Sequence, residues 1–347
     1  MAASNGHTRA LDQWLLFLVT ENELTRRSRL SVHKQNRGRP GMNHFDAIII
    51  GAGQAGPSLA GKLTGAGLTV AYIERKLFGG TCVNTGCMPT KTLVASAYAA
   101  HLVRRAADYG IMLDGAFKVD MRRVKARADA VSSNARRGVE NYLRDMKGCT
   151  VFKGHGRFEG PDTVSVGGER LTAPRIFIDV GGRAIIPGLP GIWALGECNG
   201  RGAFTHTAYN DFEIVAANLL AGVRRRLSDR ISAHALYIDP PLGRVGMTEA
   251  QARASGRSLL MGRRPMSRVG RAVEKDETQG FMKVVVDAET RQILGAAILG
   301  TGGDEAIHGI LDIMNAHVPY DILERAVPIH PTVSELVPTI LSELRPV

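Results

Sequence analysis

The run Phe45-Asp46-Ala47-Ile48-Ile49-Ile50 passes without interruption into Gly51-Ala52-Gly53-Gln54-Ala55-Gly56, and that junction constrains the fold more than any other stretch. A short apolar run rich in β-branched residues reads as a parallel strand buried on both faces. Pro57 to Ala66 then reads as a helix closed by Gly67, and Leu68 to Ile73 as a second strand ending on Glu74. In such a unit the G-x-G-x-x-G turn brings a pyrophosphate close to the helix N-terminus. An acidic residue about 20 positions on bonds the ribose. Gly51, Gly53, Gly56 and Glu74 occupy those places. The expectation is a Rossmann-like α/β domain that binds a dinucleotide.

Directly downstream lies Gly79-Gly80-Thr81-Cys82-Val83-Asn84-Thr85-Gly86-Cys87-Met88-Pro89-Thr90-Lys91. Glycines flank both cysteines, and Pro89 is a helix-start signal. A thiol at a helix N-terminus feels the positive end of the dipole, which favours the nucleophilic thiolate. The chemistry expected of Cys82 and Cys87 is a disulfide that opens and closes during turnover.

A dinucleotide unit running into a C-x4-C pair resembles the class I pyridine nucleotide-disulfide oxidoreductases, which include dihydrolipoamide dehydrogenase, glutathione reductase and mercuric reductase. The resemblance covers residues 45 to about 342. It implies an FAD-binding domain followed by a C-terminal α+β dimerisation domain, with boundaries expected at 43–232 and 233–347. It implies that the fingerprint and the adjoining Gly80 and Thr81 hold FAD. Cys82 is then the interchange thiol, Cys87 the thiol beside the flavin, and Lys91 the family lysine near flavin N5. Val151 to Phe158 is similar to the family strand that meets the adenine, nominating His155 and Gly156. Ile176 to Arg183 resembles the strand and glycine turn, with Gly181, that closes the first half of the FAD domain. Ile192-Trp193-Ala194-Leu195-Gly196-Glu197-Cys198 looks like the second FAD signature, with Glu197 where the family usually has Asp. Phe204 to Ala208 would start a helix facing the flavin pyrimidine. In that stretch His206 is given no catalytic role. Gly280–Asp287 and Ile293–Gly300 read as paired strands. Ile329-His330-Pro331-Thr332-Val333-Ser334-Glu335 matches the family's H-P-T-x-x-E, which implies His330 as acid/base and Glu335 as its orienting carboxylate. In the family this histidine serves the partner subunit, so a homodimer is implied.

A full member carries a second nucleotide domain, for NAD(P), between the glycine turn and the second FAD signature. Here Pro187-Gly188-Leu189-Pro190-Gly191 runs straight into Ile192, and no second fingerprint with strand context occurs. The missing piece amounts to ~110–140 residues, about one domain. The resemblance places the glutamate partner of Lys91 and the gate over the nicotinamide in that piece, so poor use of NAD(P)H is expected while dithiols still exchange with Cys82 and Cys87.

A chain of 347 residues with 44% hydrophobic residues and 40 glycines suits an α/β flavoprotein of two or three domains. The net charge of +11 is spread over short groups such as Arg224-Arg225-Arg226. Without a recognition motif these read as solvated faces and not as a nucleic-acid footprint. With four cysteines, two of them in the redox pair, the chain suits a reducing cytoplasm. Cys149 and Cys198 lack metal-type spacing and read as free thiols, and no metal site is expected. Residues 1–42 read as a basic, disordered extension. Its apolar Trp14–Val19 is too short to span a bilayer, so no membrane association is expected. Two function classes remain open: an FAD-dependent thiol–disulfide oxidoreductase, with mercuric reductase as a variant, and a non-catalytic flavoprotein remnant that dimerises with relatives. The mercuric variant lacks both a C-terminal vicinal cysteine pair and an N-terminal C-x-x-C.

Overall fold

The computed structural model describes residues 42–182 and 190–347. The basic extension up to residue 41 and most of the Pro187–Gly191 junction therefore lie outside the described residues. The chain divides into two compact units, one ending at Leu227 and the other spanning Ser228–Val347.

In the first unit the strands are β1 (Met42–His44), β2 (Ala47–Ile50), β3 (Val70–Glu74), β4 (Cys149–Lys153), β5 (Arg157–Phe158), β6 (Thr163–Val166), β7 (Glu169–Thr172), β8 (Ile176–Ile178) and β9 (Ile192–Ala194). Five of them form a parallel sheet in the order β4-β3-β2-β8-β9. The helices are α1 (Gly56–Gly65), α2 (Gly80–Asn84), α3 (Cys87–Arg104), α4 (Met121–Asp145) and α5 (Thr205–Ala221).

Every residue of β2 and β3 is buried, as a run without polar alternation demands. Ala47 and Ile49 join a cluster with Leu59 and Leu63 of α1, Leu143 of α4 and Phe212 of α5. Ile48 and Ile50 belong to a second cluster with Val164, Val166 and Leu171. These last residues come from a smaller sheet ordered β1-β7-β6-β5. The unit is thus three layers, helices over parallel sheet over small sheet, and β2 supplies apolar residues to both interfaces.

The strand expected over Val151–Phe158 is two strands in two sheets. Gly154 N donates to Glu74 O at 3.0 Å, the last bond along β3, and the chain then leaves the parallel sheet through His155 and Gly156. Two glycines around an exposed histidine permit that bend.

The second unit holds β10 (Ala233–Leu236), β11 (Leu242–Gly246), β12 (Leu259–Pro265), β13 (Phe281–Asp287), β14 (Ile293–Leu299) and β15 (Arg345–Pro346). They form one antiparallel sheet in the order β10-β11-β14-β13-β12-β15. The expected pairing of two strands around residues 280–300 is present as β13 and β14, with Phe281 opposite Leu299. Val284 and Val286 enter a cluster with Ile310, Ile340 and Leu341, whereas Val285 packs with Ala252 and Leu259, as alternation requires. Among the described residues no helix is long and apolar enough to cross a membrane.

Helix α4 has 25 residues, of which Ala128, Ser132 and Leu143 are buried. Leu143 is its large anchor in the core shared with Leu59 and Tyr72. Leu143→Ala is expected to cost about 2–5 kcal/mol, read as a lower urea midpoint with an unchanged slope.

Candidate active site

The fingerprint turn sits on the carboxyl ends of β2 and β8. Gly51 has φ +98°, and a Cβ there would lie 2.3 Å from the carbonyl oxygen of Asp179, so only glycine fits. Tyr72 Oη donates to Gly51 O at 3.1 Å. Glu74, at the end of β3, is 8% exposed. Ala52 N donates to its Oε2 at 2.8 Å and Lys76 N to its Oε1 at 2.6 Å. The acid expected to meet a ribose therefore also braces the turn, and each oxygen keeps a second lone pair for hydroxyl contacts.

Two buried acids that sequence reasoning did not nominate lie beside it. Asp179 accepts from Gly56 N at 2.9 Å, and Asp211 of α5 accepts from Gly196 N at 2.8 Å and Asn199 Nδ2 at 2.7 Å. An acid ending the apolar run Ile176-Phe177-Ile178 was the available clue to Asp179. Gly181 takes a left-handed φ of +86° with open space about it. Glu197 is exposed, and its Oε2 lies 2.8 Å from where a Cβ on Gly182 would stand. Its carboxylate thus stays at the same edge as Gly181, despite the extra methylene. Ala208 is buried in the first turns of α5 among the main core residues. His155 is exposed, and Gly156 rests against Ile73 and Val164.

The cysteine loop lies directly on this turn. Gln54 Nε2 donates to Gly79 O at 2.8 Å. Gly80 has φ +58°, and a Cβ there would stand 3.0 Å from Gly53 Cα. Asn84 Nδ2 donates to Phe78 O and Gly80 O, both at 2.9 Å, which closes the loop around the buried Phe78. Thr81 is exposed on α2. Cys82 also lies in α2 and Cys87 is the first residue of α3; both are free thiols.

Cys87 Sγ and Thr205 Oγ1, the first residue of α5, lie 3.4 Å apart. Two helix N-termini therefore converge on one sulfur. Burial pushes the Cys87 thiol up, but hydrogen bonds from Thr205 and Cys82 and the charge of Lys91 outweigh it and leave the thiol below its ordinary value. For Cys82, burial and the neighbouring Cys87 prevail over Thr205, and its thiol lies above the ordinary value. The pair is thus unequal, with Cys87 the more acidic thiol and Cys82 the less acidic, and Lys91 acts on Cys87. The dinucleotide fingerprint, Glu74, Gly80 and both thiols are brought together within this unit. Their chemistry fits a bound dinucleotide such as FAD.

In the second unit His330 Nδ1 and Glu335 Oε2 are 2.8 Å apart, with the imidazole 80% exposed and the carboxylate 10% exposed. Thr332 N also donates to Glu335 Oε2, at 3.3 Å. A carboxylate can only accept, so Nδ1 carries the hydrogen of this bond and the rest of the ring is open to solvent. His308 Nδ1 instead contacts Glu305 O, at 3.1 Å. Among the described residues no cluster of three or more His, Cys, Asp or Glu could hold a metal ion.

Thr205→Val should slow iodoacetamide alkylation of Cys87 at pH 7 roughly three- to tenfold, because a donor to the thiolate is lost from a partly solvated site. Thr205→Ser should restore the rate, and peptide mass mapping reads both.

A family model described as pyridine nucleotide-disulphide oxidoreductase matches residues 45–221, and one described as its dimerisation domain matches residues 232–340. The chain is similar to the probable pyridine nucleotide-disulfide oxidoreductase RclA of Escherichia coli strain K12, 23% identical over 449 positions covering 85% of this chain and 98% of that protein. Dihydrolipoyl dehydrogenase of Acholeplasma laidlawii is 33% identical over 148 residues, 43% of this chain and 44% of that protein. Mercuric reductase of Bacillus cereus is 36% identical over 149 residues, 43% of this chain and 23% of that protein. The matches to these last two span less than half of the relative's length. The solved structure described as HOCl-induced flavoprotein disulfide reductase RclA from Escherichia coli shares the fold, with a TM-score of 0.75 at 23% identity over 86% of this chain and 99% of that one. The chain belongs to the pyridine nucleotide-disulphide oxidoreductase family, a family of FAD-dependent flavoproteins, and also matches that family's dimerisation domain.

Proposed function

We propose that this chain is an FAD-dependent thiol–disulfide oxidoreductase that works through Cys82 and Cys87, as a homodimer in the cytoplasm. The observation that carries the reading is the unequal thiol pair packed on a dinucleotide turn, with Gln54 and Gly80 as the points of contact. Gly51, Gly53, Gly56, Glu74 and Gly181 would hold FAD, which when bound would take up or give the electron pair that the thiols exchange.

The exchange itself follows from the unequal pair. With the disulfide closed, a substrate thiolate attacks Cys82 Sγ, the Cys82–Cys87 bond breaks, and Cys87 leaves as the better-stabilised thiolate. The second substrate thiol then displaces Cys82, forming the substrate disulfide and leaving the protein dithiol. Each substrate thiol loses a proton as it attacks, and of the two departing sulfurs only Cys82 takes one up, because Cys87 stays a thiolate. His330, held in one tautomer by Glu335, is the group proposed to carry it, from the partner subunit as in the family.

Weak use of NAD(P)H is part of the proposal. The RclA match runs over 449 positions while only 85% of this 347-residue chain takes part, so roughly 150 positions of the relative face no residue here, about one domain. β8 and β9 are parallel neighbours joined by residues 179–191 alone. That connection is close to the minimum a parallel crossover allows and leaves no room for a folded insertion.

An anaerobic visible-spectrum titration of the purified protein tests this. Bleaching of bound flavin by a dithiol, but not by NADH or NADPH, is the expected result. Bleaching by NAD(P)H would overturn the weak-donor reading, and a protein that takes up no flavin would favour the non-catalytic remnant. His330→Gln should lower dithiol turnover roughly 10²–10⁴-fold while the alkylation rates of both cysteines stay unchanged.

A further inference from the structure

Helix α1 begins without a cap of its own. Its N-cap residue is Ala55, which has no side-chain acceptor, and the first turn has no acidic residue. The N–H groups of a first helical turn need partners. Asp179, 123 residues away along the chain, reaches in from the end of β8 and accepts Gly56 N–H at 2.9 Å. Its carboxylate also lies under Gly53, where an added Cβ would meet Oδ1 at 2.6 Å and Oδ2 at 2.7 Å. One side chain thus supports the second and third glycines of the fingerprint at once.

That support is placed among like charges. Asp179 is 5% exposed, Glu74 8% and Asp211 4%. Among the described residues, Tyr72 and Glu74 from β3, Asp211 from α5 and Cys198 from the turn after β9 are titratable groups that face it. None of these is a cation. An anionic dinucleotide seated at the N-terminus of α1 would add negative charge to the same surroundings.

We propose that Asp179 is a positioning residue for the dinucleotide turn whose proton is linked to cofactor retention: protonated it caps α1 and tolerates the pyrophosphate, and ionised it repels it. This rests on the reading of the chain as an FAD protein. Burial, reinforced by Asp211 and Glu74 and opposed by the backbone donors of Gly56 and Gly53, pushes the Asp179 carboxyl up to about 8. The sign then follows from linkage. An unfolded chain ionises Asp179 near ~4, and the folded one only near that raised value. Between the two, folding takes up a proton and stability falls as pH rises. Above the raised value, binding must either draw a proton from solvent back onto Asp179 or set the pyrophosphate against its charge, so affinity falls as pH rises.

The test is FAD affinity of the full-length apoprotein from pH 6.5 to 9, read by the change in flavin fluorescence on binding, for wild type and Asp179→Asn. The expected result is a loss of affinity of roughly tenfold in wild type across the upper half of that range, and a flat profile in Asp179→Asn. The melting temperature of the apoprotein should fall with pH more steeply in wild type than in the variant. A flat wild-type affinity profile overturns the proposal without any need for the variant to fold, and so do parallel declines in the two proteins. A wild type that binds no FAD at any pH overturns the FAD reading itself and this inference with it, an outcome distinct from FAD bound with no pH dependence.

Discussion

The close approach of the Gly51–Gly56 turn to the end of β8 is the constraint on which the first unit depends. The backbone passes near enough to Asp179 that no Cβ fits at Gly51, and the same strand end caps the helix that follows. Because the turn is fixed there, the cysteine loop has a rigid surface to rest on. Gln54 grips Gly79, and Gly80 lies against Gly53. The thiols therefore owe their position to a close approach of two glycine backbones, where a Cβ on Gly80 would crowd Gly53 and one on Gly53 would crowd the Asp179 carboxylate.

The electrostatics follow from this placement. A thiolate at the first residue of an 18-residue helix, beside the start of a 17-residue one, is stabilised by fixed dipoles that need no reorganisation when the disulfide opens. Cys82, in the short helix before it, lacks that arrangement. Burial, the Thr205 hydroxyl and the Lys91 charge make the two sulfurs chemically unequal, and inequality is what gives thiol exchange a direction.

Much of this was legible in the sequence. The strand, turn and helix from Phe45 to Ala66, the paired strands near 280–300 and the His330–Glu335 contact are all present as read. Local patterns suffice there: an apolar run, a glycine spacing, an i,i+5 pair. What escaped were contacts across great sequence separation. Asp179 bonds Gly56 and Thr205 meets Cys87 across more than a hundred residues, and neither has a local pattern to announce it. The break of the expected Val151–Phe158 strand has a related cause. Its halves belong to different sheets, and which strand each half joins is a matter of topology, not of propensity.

The strand order β4-β3-β2-β8-β9 also sets a schedule for synthesis. β2 emerges early, yet one of its two neighbours, β8, is not made until Ile178, and the outer strand β9 not until Ala194. A nascent chain therefore carries a fully apolar strand with one open edge over more than a hundred residues of elongation, a state prone to mispairing. β8 closes that edge and exposes its own, which the short link to β9 covers within a dozen or so further residues. A domain inserted at this point would leave the edge of β8 open through its own synthesis, so a link of this length shortens the interval during which that edge is unpaired.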